Sequence, residues 1–219
     1  MKPAWAVAAS VCLGIYVPAV MSATLDFETV PVGTKYGQDF GHVPGQVVLS
    51  QQGIDMSVEN FFETAQNFTG FVRAEVGGQF DAAFPTTPLD YDSISTRFDL
   101  SGLGFNVNQA SFEYVDFGIH YNFAVNAEPM YEVGSLSELP ANVATGVTLA
   151  LEELDAGTGR TRLTLTGNVD SFLVGGYELA IDTVIAIPEP TTLVLLAICG
   201  TMIVWRGSRR LTRSALSAS

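Results

Sequence analysis

The chain has 219 residues, and its 10 basic and 23 acidic side chains leave a net charge of −13. Such acidity repels nucleic acid and anionic lipid, so neither is expected as a binding surface. The two cysteines, Cys12 and Cys199, both lie in apolar end segments. The stretch between them therefore carries no disulfide framework, no thiolate nucleophile and no Cys-ligated metal.

Lys2, an apolar stretch from Ala4 to Val20 and then Met21-Ser22-Ala23 compose a secretory signal peptide over 1–23. Cleavage is expected after Ala23. Ala19 is the alternative, because Met21 is large for its place two residues before the cut.

Residues 24–186 are enough for one domain with a substantial core. Lys35, Arg73, Arg97, Arg160 and Arg162 are its only bases against 22 acids, a balance of −17. Apolar and polar residues alternate at Leu25 and Phe27, at Ile54, Met56 and Val58, and at Ile94, Thr96 and Phe98. The pattern continues at Phe112 and Tyr114, and Ile119, Tyr121, Phe123 and Val125 are expected to line one face. Val147, Leu149 and Leu151, then Leu163 and Leu165, then Tyr177, Leu179 and Ile181 complete it. Alternation with period 2 between Gly, Pro, Asn and Asp boundaries predicts half-buried antiparallel strands. About ten such strands without disulfides predict an all-β, two-sheet sandwich, most plausibly a jelly roll, with an immunoglobulin-like sandwich as the alternative. One turn of helix is expected at Ser137-Glu138-Leu139, before Pro140.

Residues 60–89 break the alternation and hold Phe61, Phe62, Phe68, Phe71, Phe80 and Phe84. So many rings predict packing under one end of the sandwich, with one strand at 71–76. Loops at sandwich ends also carry function, which makes this region a second-rank site candidate. Asp90-Tyr91-Asp92-Ser93 begins like a calcium-binding helical-hairpin loop, but Ser95 and Ser101 occupy the positions that need Gly and Glu. A turn between strands is the expectation there.

Two sites are weighed for the domain. Asp26 and Glu28 share one side of the first strand, and Glu178 and Asp182 share a face of the last. If the terminal strands are neighbours, these four could surround one Ca²⁺, which takes six to eight oxygens. Plain solvation of strand carboxylates is the simpler reading, and no cofactor other than Ca²⁺ is suggested. A sugar surface could use the rings of Tyr91, Tyr114, Tyr121, Tyr131 and Tyr177, but their alternation favours core or rim packing. No nucleophile elbow, zinc helix or phosphate loop occurs, and His42 and His120 are the only histidines, so no enzyme is expected.

The chain closes on Pro188-Glu189-Pro190, the uncharged run Thr191 to Trp205, and Arg206, Arg209, Arg210 and Arg213. The prolines stop regular structure, and the arginines favour the cytoplasmic side of a membrane. The fifteen residues of 191–205 form a predicted transmembrane helix. At about 22 Å it is short for a core of roughly 30 Å, which suits a transient anchor.

The order Pro-Glu-Pro, apolar span and Arg cluster over 187–219 resembles the PEP-CTERM sorting signal of Gram-negative bacteria. That resemblance implies recognition and cleavage by exosortase, a membrane-embedded peptidase. It further implies a non-enzymatic cell-surface or extracellular-matrix protein, crossing the inner membrane and associated with exopolysaccharide and biofilm. Leu100-Ser101-Gly102-Leu103, ASFEYVDFG, NFAVN and GNVDSFLVGGYELAIDTV also resemble an exported domain attached to such signals. The closing strand is similar to those of jelly-roll carbohydrate-binding modules. A carbohydrate- or Ca²⁺-binding module is the alternative reading, and a glycan hydrolase ranks below it.

Overall fold

The computed structural model describes residues 22–189. The expected signal peptide up to residue 21, Pro190, the expected transmembrane span 191–205 and the arginine cluster lie outside the described residues. Fifteen strands are described: β1 (Ala23–Leu25), β2 (Lys35–Tyr36), β3 (Gln46–Gln51), β4 (Ile54–Glu59), β5 (Phe61–Glu63), β6 (Phe68–Gly70), β7 (Arg73–Val76), β8 (Leu89–Asp99), β9 (Val107–Asp116), β10 (Tyr121–Val125), β11 (Tyr131–Val133), β12 (Asn142–Ala144), β13 (Val147–Asp155), β14 (Arg160–Thr166) and β15 (Ser171–Pro188). The helical segments among the described residues are single 3₁₀ turns. One of them, Leu136–Glu138, falls at the turn expected before Pro140; Ser135 caps it and Leu136 is buried. No helix of the described residues is long and apolar enough to cross a membrane.

All pairings are antiparallel, as alternating sequences with short connections favour. Hydrogen bonding runs through a thirteen-stranded sheet, while β5 and β6 form a hairpin of their own. The 18-residue β15 divides the large sheet into two layers. Its first part, Phe172–Gly176, lies between β8 and β10, and its last part runs between β9 and β1. Register shifts at Tyr177–Leu179 and Asp182–Ile185 mark the crossing. Glu178 and Thr183 take positive φ there, 50° and 46°. Bulges of this kind bend and twist a strand, which lets β15 serve both layers.

The layers close on a shared core. Phe98 and Phe172 of one layer stack 5.0 Å apart, and Phe112 of the other stacks on Phe172 at 5.3 Å. This is the all-β, sandwich-like arrangement that the alternation predicts. Gly175 is required where β15 is flanked on both sides, because a Cβ there would lie 2.1 Å from Ser95 Oγ and 2.6 Å from Ser95 Cα.

Three expectations are corrected. Asp90 to Ser93 is not a turn but part of β8, with Ser93 at φ 53° kinking the strand rather than ending it. Ile119 does not join Tyr121, Phe123 and Val125 in the core; it precedes β10 and is 70% exposed. The strand expected over 71–76 begins at Arg73, and 60–89 holds the β5–β6 hairpin as well. The described strands outnumber the expected ten because pieces such as β2, β5, β6, β11 and β12, two or three residues each, are too short to show a period.

Candidate functional site

A cleft of about 510 Å³ is built on β7, β8 and β15. Glu75 pairs with Asp90 and Arg73 with Asp92, while Tyr177 of β15 pairs with Asp92 from the other side. Alternation then sorts the side chains. Ala74, Val76, Leu89 and Tyr91 go to the core, and Arg73, Glu75, Asp90 and Asp92 line the cleft. The bulge at Glu178 adds a further carboxylate, and Gly77-Gly78-Gln79 forms a backbone wall.

Asp90 is the unusual member. It is 7% exposed, and its Oδ2 accepts the Phe80 N–H at 3.0 Å while its Oδ1 has no partner. Gly78 packs so closely that a Cβ would sit 2.3 Å from Asp90 Oδ2. Burial pushes the Asp90 carboxyl up to about 6, aided by the charges of Asp81 and Glu75, against the pull of the Phe80 and Gln79 N–H groups. Arg73 is the one base in the lining; it reaches Glu75 at 3.5 Å and Asp92 at 3.8 Å. Phe80 and Phe117 stack at 4.3 Å, and Phe117 remains 48% exposed. Their backbones bond Asp90 Oδ2 and the Glu178 carbonyl, which ties this ring pair to the cleft residues.

Of the four carboxylates expected to share Ca²⁺, three are taken up by protein donors and the fourth lines the cleft. The terminal strands are neighbours as expected, with Leu25 opposite Val184. Asp26 Oδ1 accepts from the Glu28 N–H at 3.2 Å and Gln51 Nε2 at 3.4 Å. Glu28 Oε1 accepts the Thr87 N–H at 2.5 Å. Asp182 is buried and accepts from the Thr86 and Thr183 hydroxyls; burial raises its pKa, and these bonds lower it. Glu178 opens instead on the cleft. Among the described residues, no group of three or more His, Cys, Asp or Glu side chains is placed to hold a metal ion.

The remaining candidates fall into structural places. Tyr91, Tyr114 and Tyr121 are buried, while Tyr131 and Tyr177 are half-buried. Tyr177 packs edge-on against Phe61 at 5.7 Å. His42 Nδ1 accepts the Gly37 N–H at 3.3 Å, and His120 Nε2 lies 3.1 Å from Glu63 Oε1; neither lines the cleft. Ala23, the expected cleavage residue, is buried in β1 opposite Ala186. The cleft itself was only half visible in sequence. Its wall comes from the 60–89 region singled out for its rings, but Asp90 and Asp92 sit where a turn was expected.

No family model matches the chain, and no curated protein or solved structure matches it.

Proposed function

We propose that the chain is an exported, non-enzymatic surface or matrix protein, sorted by exosortase through its PEP-CTERM end. One observation carries the reading. The last strand ends at Pro188, and the Glu189 N–H bonds the Asn106 carbonyl at 3.1 Å. The described body reaches the first two residues of the Pro-Glu-Pro motif, and its core draws on residues from Ala23 to Ala186. A body completed before the apolar run is what a separable sorting tail needs. The route runs through the inner membrane of a Gram-negative cell, with the 191–205 helix as a transient anchor and the C-terminus cytoplasmic, to the surface or the polysaccharide matrix. The pairing of β1 with β15 supports reading the two-layer sheet as a jelly-roll variant. Intact mass of the protein recovered from its host tests the proposal. Loss of the chain beyond the Pro-Glu-Pro is expected, and a mass that includes Ser219 would refute it.

A second reading, a carbohydrate-binding module, is favoured by the cleft, whose volume lies within the roughly 300–1,000 Å³ of small-molecule sites. The Ca²⁺-binding form of that reading is the weaker one, because no three acidic side chains among the described residues are placed to hold a metal ion.

A further inference from the structure

The loop between β7 and β8, residues 77–88, folds back over β9 and β15 on the side away from the main core. Phe84 packs there on Val115 and Ala180, with Phe80 and Ala83 beside it, in a small apolar cluster of its own. The main core draws on no residue of 77–88. Hydrogen bonds hold the loop at both ends. Thr86 gives its hydroxyl to Asp182, and the Thr87 N–H bonds Glu28 Oε1 at 2.5 Å. At the other end Gly77, with φ 63°, and Gly78 carry the chain over Asp90, whose Oδ2 accepts the Phe80 N–H at 3.0 Å. A segment with so little buried apolar surface is the kind of unit that opens while the rest of a fold stays closed.

Closing the loop has an electrostatic cost. It covers the Asp90 carboxyl, which is left 7% exposed with no partner for Oδ1. The groups facing it are Arg73 and Glu75 of β7, Asp81 of the loop, Asp92 of β8, and Tyr177 and Glu178 of β15. Arg73 is the one base among them, and Glu75 at 3.5 Å and Asp92 at 3.8 Å already engage it. Burial accordingly pushes the Asp90 carboxyl up to about 6, and opening the loop returns it to water. Protonation of Asp90 then favours the closed loop, and ionisation favours the open one.

We propose that residues 77–88 form a pH-gated strap, which opens independently of the two-layer core and does so more readily at neutral than at acidic pH because closure buries the Asp90 carboxyl. Opening bares Val115 and Ala180, together with the Asp182 carboxyl that Thr86 covers. Nothing in this device depends on how the tail is sorted.

Hydrogen exchange read by mass spectrometry on the full chain in detergent tests the strap, with each rate divided by the intrinsic rate at that pH. Amides of 77–88 should exchange well before those of β9 and β14 at both pH 5 and pH 8. Their opening constant should be about tenfold larger at pH 8 than at pH 5, as follows for a carboxyl that moves between about 6 when closed and its ordinary 3.8 when open. Asp90→Asn should flatten that ratio to near one. Phe84→Ala should raise opening at both pH values and keep the ratio, since it removes the apolar hold and leaves Asp90 in place. Exchange of 77–88 in step with β9, a parent ratio under about twofold, or the parent ratio persisting in Asp90→Asn would each overturn the proposal.

Discussion

Replacing Phe172 by Ala tests whether the two layers share one core. Phe172 has no exposed surface and lies between Phe98 at 5.0 Å and Phe112 at 5.3 Å, one ring from each layer. Truncating a buried Phe to Ala costs about 3–5 kcal/mol through lost transfer energy and the cavity left behind. For a body of this size each kcal/mol moves the melting temperature by roughly 2–4 °C, so a fall of about 6–20 °C is expected. Thermal melts followed by circular dichroism, with urea melts to check the m-value, give the number. Phe112→Leu supplies the second edge of a double-mutant cycle. Because Phe112 and Phe172 touch across the layers, a coupling of about 0.5–3 kcal/mol is expected. A loss under about 1 kcal/mol, or strict additivity with Phe112→Leu, would refute the shared core, since residues in contact rarely act independently.

Other outcomes follow from single groups. Asp90 has its folded pKa raised from 3.8 to about 6, so the stability it contributes is full below pH 3.8 and is lost as pH rises through 6. Asp90→Asn should therefore melt higher than the parent at pH 8 and alike at pH 4; a variant less stable at pH 8 would contradict the buried, unpartnered oxygen. Asn122 is buried and clamps the β5–β6 hairpin by accepting the Phe62 N–H at 2.7 Å and donating to the Phe62 carbonyl at 2.8 Å. Its change to Ala strands both groups at about 1–3 kcal/mol and should raise amide exchange across 61–70 before the rest of the sheet; uniform exchange would count against it. Chelator should leave the melting temperature unchanged, and a rise of several degrees in millimolar Ca²⁺ would revive the site of Asp26, Glu28, Glu178 and Asp182. Cutting after Ala23 would remove a buried residue paired with Ala186, so N-terminal sequencing should find Val20 first, after a cut at Ala19; a start at Thr24 would refute this.

Much of the fold was legible because burial writes a period of two into the long strands. Ile54–Glu59 and Val147–Leu151 read as strands on that account. β3 did not, since an edge strand with Gln46, Val47 and Ser50 exposed keeps no apolar face. Tyr121 to Val125 is buried at every position, which identifies a strand covered on both faces rather than the one-sided strand expected. At the site, carboxylates at Asp90 and Asp92 looked like turn formers because sequence cannot show that Gly78 makes room for one of them. Nothing local marked the closeness of Glu75 and Asp90, which is a matter of register between β7 and β8. The grouping of Glu178 with Asp182 failed for a related reason. The bulges of β15 break the alternation that would put residues four apart on one face.

If the tail is cut as proposed, the same strand constrains where. Ile187 pairs with Gln109 and Pro188 with Val107, and the Glu189 N–H is bonded to Asn106. The first two residues of the Pro-Glu-Pro are thus held by the edge of the body, although proline donates no ladder bond of its own. A peptidase that needs an extended, unpaired substrate would have to cut beyond Glu189 or first peel the end of β15 from β9. Peeling past Ala186 would open the core, because Ala186 and Val184 are fully buried. Cleavage on the C-terminal side of Glu189 therefore costs the body least. It would release an intact sandwich whose last strand still joins both layers.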